Sequence, residues 1–172
     1  MISASIVLYN TDKDLLESVL ESYHPSQERL LLIIDNSPTP TDYFVNMEYV
    51  TYIFNEENIG FGAAHNIAIH KAIDLKSEYH IVLNPDIEFD TAIIAELKHY
   101  CDEHPDVSYI LPKVIYPNGD LQYLCKLLPT PVDLIFRRFI PHFGHNNTHN
   151  DRYTLKDSGY NKIFNPPCLS GC

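Results

Sequence analysis

Positive charge is what this chain most lacks. Lys and Arg number 12 against 23 Asp and Glu in 172 residues, the formal net charge is −11, and Arg137-Arg138 is the only basic doublet. A nucleic-acid surface needs clustered cations to replace the counterions of backbone phosphates, so that function class is excluded. Also missing is any apolar run near the ~18 residues that cross a bilayer, and Met1 to Tyr9 lacks the basic start of a signal peptide. The expectation is a soluble, cytoplasmic protein. Four cysteines, Cys101, Cys125, Cys168 and Cys172, form no C-x-x-C pair. Reduced, buried thiols fit that compartment, and the short spacing of Cys168 and Cys172 leaves a disulfide or metal clip as the alternative. No nucleophile elbow, Ser-His-Asp arrangement or phosphate-binding P-loop occurs, so hydrolysis through a covalent nucleophile has no support.

What is present is enough apolar material, 45% of the residues, for one domain spanning 1–172. Strand patterns at Ser3 to Tyr9, Arg29 to Asp35, Val50 to Phe54, Tyr79 to Leu83 and Val107 to Leu111 alternate with helical ones. The helices are expected at Lys13 to Tyr23, from just after Gly62 to near Lys76, and from an Asp90-Thr91 cap to about Glu103. Leu15, Leu16, Val19, Leu20 and Tyr23 make one buried stripe, and Pro25 stops the first helix. Continuous apolar strands alternating with helices predict an α/β fold with a mainly parallel sheet covered on both faces. After Pro112 the pattern changes. Pro117-Asn118-Gly119-Asp120 between Val114-Ile115-Tyr116 and Leu121-Gln122-Tyr123-Leu124 predicts an antiparallel hairpin. Pro131 to Phe139 reads as helical and Pro141 to Arg152 as a polar loop.

Short polar groups gather where the strands stop. Asn10-Thr11-Asp12, Asp35-Asn36-Ser37-Pro38 and Asn84-Pro85-Asp86 each follow an apolar strand, and in a parallel sheet all three endings share the rim where open α/β folds bind ligands. Each is also turn chemistry by itself. Carboxylates there without a basic cradle suit a sugar or nucleotide held by hydrogen bonds, with a hard divalent cation on its phosphates. Gly60-x-Gly62 opens a helix whose free N–H groups favour an anion, although the third glycine of the dinucleotide fingerprint is missing. His65 lies near enough to that helix start to touch a ligand, and His70 reads as inert. His142, His145 and His149 could bind a transition metal but sit in a solvated-looking stretch. Asn146-Asn147-Thr148 matches a glycosylation acceptor in a chain without a secretion signal.

The motifs together resemble the inverting family 2 glycosyltransferases of GT-A fold, in particular their rhamnosyltransferase-like bacterial branch. The resemblance rests on Ser5-Ile6-Val7-Leu8-Tyr9-Asn10, Ile34-Asp35-Asn36-Ser37, Asn58-Ile59-Gly60-Phe61-Gly62-Ala63-Ala64-His65-Asn66, Leu83-Asn84-Pro85-Asp86, Pro112-Lys113-Val114 and Leu169-Ser170-Gly171-Cys172, in that order. It implies that Tyr9 and Asn10 line a base and ribose pocket, that Asp35 binds nucleobase or ribose, and that Gly60, Phe61 and Asn66 lie along the nucleotide cleft. Asn84-Pro85-Asp86 stands at the family's DxD motif, with Asn84 beside the donor and Asp86 holding Mg²⁺ or Mn²⁺ against the diphosphate. Ser170 and Gly171 fall on the acceptor side. The family's general base lies in an acidic segment beyond the equivalent of Cys172, and Glu88, Asp90 and Asp120 do not match it, so the resemblance implies a C-terminally truncated chain. The implied activity is a metal-dependent, hexosyltransferase-type transfer from a nucleoside-diphosphate sugar such as dTDP-rhamnose to a surface-polysaccharide or lipid-linked glycan acceptor, working where needed at the inner face of a membrane. The alternatives are a non-catalytic sugar-nucleotide-binding module and a sugar nucleotidyltransferase, whose Gly-rich basic phosphate loop is replaced here by Asn10-Thr11-Asp12.

Overall fold

The computed structural model describes residues 1–129 and 151–170, in two compact units, Met1–Asp106 and Val107–Cys172. The first unit runs β1 (Ile2–Leu8), α1 (Lys13–Tyr23), β2 (Arg29–Asp35), β3 (Val50–Phe54), α2 (Phe61–Asp74), β4 (Tyr79–Leu83) and α3 (Ala92–Glu103). Its four strands are all parallel, in the order β3-β2-β1-β4. The strand order reverses beside β1, which makes the carboxyl ends of β1 and β4 the crevice of the sheet. No described helix is long and apolar enough to cross a membrane.

Strand side chains alternate between two faces. On one face Ala4, Ile6, Leu8, Leu31, Ile33 and Leu83 meet Leu16, Val19 and Tyr23 of α1, Phe44 and Ile94 of α3 in the main core. On the other, Val7, Leu32 and Ile34 meet Ala64, Ala68 and Ala72 of α2. Alanines at i, i+4 and i+8 form a stripe with no side chain beyond Cβ, so this helix approaches the sheet closely. The ends of α1 follow its sequence: Asp12 Oδ1 accepts the Asp14 N–H at 3.1 Å, and His24, at φ 52°, turns the chain away before Pro25.

Several boundaries differ from expectation. β1 covers Ile2–Leu8 and leaves Tyr9 outside the sheet, α2 begins at Phe61, and Thr91 does not cap α3. The Ala92 N–H goes to Asp90 Oδ1 at 2.9 Å, while the Thr91 hydroxyl donates to Ser22 O at 2.8 Å and ties the start of α3 to α1. The polar connection before β3 also buries Phe44, which stacks on Tyr52 with ring centroids 5.6 Å apart.

In the second unit Val107–Leu111 is not a strand: β propensity needs a neighbouring strand to bond with, and this segment pairs with none of the described residues. The turn at 117–120 forms, with Gly119 at φ 88°, but the hairpin narrows to one bridge, Ile115 with Leu121, flanked by Tyr116 N–H to Asp120 O at 2.7 Å and Gln122 N–H to Val114 O at 2.9 Å. Regular antiparallel pairing comes further on, between β5 (Cys125–Lys126) and β6 (Cys168–Leu169). Cys101, Cys125 and Cys168 are free thiols, half-buried rather than buried. The expected helix at Pro131 to Phe139, the three histidines His142, His145 and His149, the Asn146-Asn147-Thr148 triplet, Gly171 and Cys172 lie outside the described residues. Of the expected loop from Pro141, the described Asp151 and Arg152 are helical.

Candidate functional site

Hydrogen bonding of the parallel sheet continues one residue past the strands: the Asn36 N–H reaches Leu8 O and the Asn55 N–H reaches Asp35 O, both at 2.9 Å. This extension brings the polar endings of β1, β2 and β3 to one rim. Asn10, at φ 50°, donates its N–H to Ser37 Oγ at 2.9 Å, which joins the exits of β1 and β2. Tyr9, just before it, is 53% exposed.

Asp35 is 2% exposed, and both of its oxygens are engaged. Oδ1 accepts the Ser37 N–H at 2.8 Å and Oδ2 accepts the Tyr52 hydroxyl at 2.6 Å. The same Tyr52 oxygen accepts the Thr41 N–H at 3.0 Å. Burial, and then the bond to the Asp35 carboxylate, push the Tyr52 phenol up to about 12, so it stays a donor at any working pH. Asp35 therefore shapes the loop after β2, and only its remaining lone pairs can meet a ligand.

Beside it runs a chain of amides. Asn55 Nδ2 donates to Asn36 Oδ1 at 2.7 Å, Asn36 Nδ2 donates to Asn58 Oδ1 at 3.4 Å, and the Gly60 N–H donates to the same Asn58 oxygen at 3.0 Å. The chain ends at the start of α2. Gly60 adopts φ 86°, a conformation that suits glycine, and supplies no side-chain cap. The first N–H satisfied inside α2 is that of Ala64, bonded to Gly60 O at 3.1 Å, so the three preceding N–H groups point forward from the helix. A Cβ on Gly60 or Gly62 would meet nothing within 4 Å, which leaves open space in front of them. Phe61 is 53% exposed at this opening, whereas Asn66 lies further along α2 on its exposed side.

On the other side of β1, Leu83 pairs with Ile6 while Asp35 pairs with Leu8. The Asn84-Pro85-Asp86 turn thus leaves the sheet on the same rim, two interstrand spacings from β2, or about 10 Å. Asn84 is half-buried and Asp86 is exposed. The described residues hold no cluster of three His, Cys, Asp or Glu side chains able to enclose a metal. A single exposed carboxylate does fit the way Mg²⁺ is usually held, by one or two protein oxygens with substrate phosphates and water completing the shell. Of the other acids, Asp90 caps α3 and Asp120 Oδ2 accepts from Asn118 Nδ2 at 2.8 Å, while Glu88 is exposed. In the second unit Ser170 Oγ accepts from Lys126 Nζ at 2.9 Å, and its N–H bonds Leu124 O at 2.8 Å.

Two groups extend beyond the sequence motifs. Tyr52 and Asn55, with Asn58 of the motif before α2, join the rim through their partners, a link that no linear motif reports. Beneath α2, Ser3 and Ser5, both fully buried, form a polar line with His65 and His80. His65 Nδ1 lies 2.8 Å from Ser5 Oγ, which lies 2.8 Å from His80 Nε2, and His80 Nδ1 lies 2.7 Å from Ser3 Oγ. The clue was Ser-x-Ser in an otherwise apolar strand, with His80 of β4 on the same face. Burial, followed by the neighbouring His80, pushes the His65 imidazole down to about 4, and burial lowers that of His80 as well.

An α/β domain whose parallel strands end in amides, hydroxyls and acids beside an uncapped helix start belongs to the class that binds ligands at the carboxyl rim of the sheet. The chain is a member of glycosyl transferase family 2, whose family model matches residues 3–164. Two crystal structures of S. aureus TarS are similar to it. The structure of TarS 1-349 superposes with a TM-score of 0.50 at 17% identity over 74% of this chain and 41% of that one. A second TarS structure gives 0.48 at 17% identity over 67% and 24%. No curated protein sequence matches the chain. The chain spans less than half the length of these solved relatives. Its family and its likeness to the TarS 1-349 structure agree with a GT-A-like fold.

Proposed function

We propose that this chain forms the donor-binding part of a glycosyltransferase that moves a sugar from a nucleoside diphosphate to a glycan or lipid-linked acceptor, with inversion at the anomeric carbon. The observation that carries the reading is the single rim on which Asp35, the Asn36–Asn55–Asn58 amides, the uncapped start of α2 and the exposed Asp86 all stand. Family membership supports it independently. Tyr9 and Phe61 offer exposed aromatic surface for a base, and the amides together with the residual lone pairs of Asp35 offer directional partners for base edges and ribose hydroxyls. The forward N–H groups of α2 suit an anionic diphosphate. Asp86, with Asn84 beside it, would hold Mg²⁺ or Mn²⁺ against that diphosphate. When bound, the cation neutralises the charge that develops on the leaving group. Within this class the donor is a deoxysugar such as rhamnose carried on dTDP, and the enzyme works at the inner face of a membrane on a surface-polysaccharide or lipid-linked glycan acceptor.

The test is calorimetric titration with UDP, dTDP and GDP, each with and without Mn²⁺, on this chain and on Asp86→Ala. Metal-dependent binding of one nucleotide is expected, weakened at least tenfold in Asp86→Ala, while that exposed substitution changes stability by no more than about 0.5 kcal/mol. Absence of binding to all three would overturn the donor-site reading. Binding without transfer of sugar to any acceptor would favour a sugar-nucleotide-binding module.

A further inference from the structure

The rim does not use the buried pair of histidines beneath α2, yet their protons can be placed by counting. Three short contacts, Ser3 to His80, His80 to Ser5 and Ser5 to His65, each need one hydrogen, and two neutral imidazoles and two hydroxyls supply four in all. Three arrangements fill every contact; the one in which Ser5 accepts from both His80 Nε2–H and His65 Nδ1–H strands the hydrogen of a fully buried hydroxyl that has no other partner among the described residues, and two remain. In the first, Ser3 donates to His80 Nδ1, His80 Nε2–H donates to Ser5, and Ser5 donates to His65 Nδ1. His65 must then carry its proton on Nε2, an atom with no solvent exposure and no partner among the described residues. In the second, every bond reverses. His65 Nδ1–H donates to Ser5, Ser5 donates to His80 Nε2, His80 Nδ1–H donates to Ser3, and the Ser3 hydroxyl turns to Tyr79 O, 3.5 Å away. That arrangement leaves a bare lone pair on His65 in place of a buried, unpaired N–H, and orphaned buried donors are the rarer and costlier of the two.

The geometry points to the second arrangement, with both imidazoles neutral and protonated on Nδ1, and to His65 as a positioning residue of the donor site. Resting on the donor-site reading above, the role follows from what His65 joins. One edge of its ring is bonded to β1 through Ser5, and the ring meets Phe61 in a T-shaped contact at 4.3 Å with planes 69° apart. Phe61 is the first residue of α2 and is exposed at the cleft. A fixed tautomer commits the one donor of His65, Nδ1–H, to Ser5 Oγ, so the first turn of α2 sits in one register against β1. Alanine packing alone would let the helix slide, because a stripe of methyl groups has no directional preference.

Two measurements test this. Nitrogen-15 spectra of ring-labelled histidine at neutral pH should show His65 and His80 as neutral Nδ1–H tautomers in the wild type, with His65 released to the Nε2–H form in Ser5→Ala. A wild-type Nε2–H signature at His65 overturns the proposal whatever the variants do. In parallel, Ser5→Ala, which touches neither the rim nor Phe61, should weaken binding of whichever of UDP, dTDP or GDP the wild type takes by about tenfold. Ser5→Thr, which keeps the hydroxyl, should restore both the tautomer and the affinity. Unchanged affinity in folded Ser5→Ala removes the positioning role. If the wild type binds none of the three nucleotides, both the donor-site reading and the positioning role fall, and the tautomers alone report on the proton count.

Discussion

The two faces of the parallel sheet solve the same packing problem in opposite ways. Toward α1 and α3 the sheet presents Ile6, Leu8, Leu31 and Ile33, met by Leu16, Val19, Tyr23 and Phe44. Toward α2 it presents Val7, Leu32 and Ile34, but also Ser3 and Ser5, met by three alanines and a histidine. The first face buries large apolar side chains, each contributing about 1.5–3 kcal/mol, and tolerates small shifts because apolar contact has no direction. The second gives up apolar area for hydrogen bonds that hold at one geometry. The helix whose start opens on the polar rim is the one held by direction, and the helices on the far side are held by mass.

That contrast can be broken in order of effect. Ile33→Ala on the large-residue face removes a fully buried side chain and should destabilise the first unit by about 2–5 kcal/mol in chemical denaturation, with affinity for nucleotide at saturating fold unchanged. Acid should act on the opposite face. The imidazole of His65 is 3% exposed and held neutral down to about 4, against about 6.5 in an unfolded chain. Its contribution to stability is therefore complete above pH 6.5, is lost as pH falls from 6.5 toward 4, and amounts to roughly 3 kcal/mol in all. The lowered imidazole of His80 acts in the same direction. Denaturation curves for the wild type and His65→Leu should converge over that window, and parallel curves would show that the face does not titrate. The smallest effect belongs to Ala68→Leu, which overfills the close approach of α2 and should cost about 1–3 kcal/mol; a neutral result would mean that the helix can retreat from the sheet.

Much of this arrangement is legible in the chain. β2, β3 and β4 begin and end where the sequence pattern places them, because runs of β-branched, aliphatic and aromatic residues pair as strands until turn residues stop them. The rim is legible for the same reason: Asp35-Asn36-Ser37 and Asn84-Pro85-Asp86 are where those runs stop. What the sequence hides is partnership. Nothing near Tyr52 announces that its hydroxyl serves Asp35, since the register that brings β3 beside β2 is a property of the folded sheet. Val107–Leu111 shows the same limit from the other side, with the composition of a strand and no neighbour to make it one. His65 was visible as a residue near a helix start, but its burial depends on Ser5, sixty positions earlier.

The amide chain of the rim carries information in one direction. An asparagine can turn its oxygen and nitrogen end for end, but the backbone N–H of Gly60 cannot, and it must face an oxygen. That single fixed donor orients Asn58, Asn58 then orients Asn36, and Asn36 orients Asn55 at the exit of β3. The polarity of a peptide group at the mouth of a helix is thus written across three side chains to the far edge of the rim, where it fixes which end of the Asn55 amide faces Asn36.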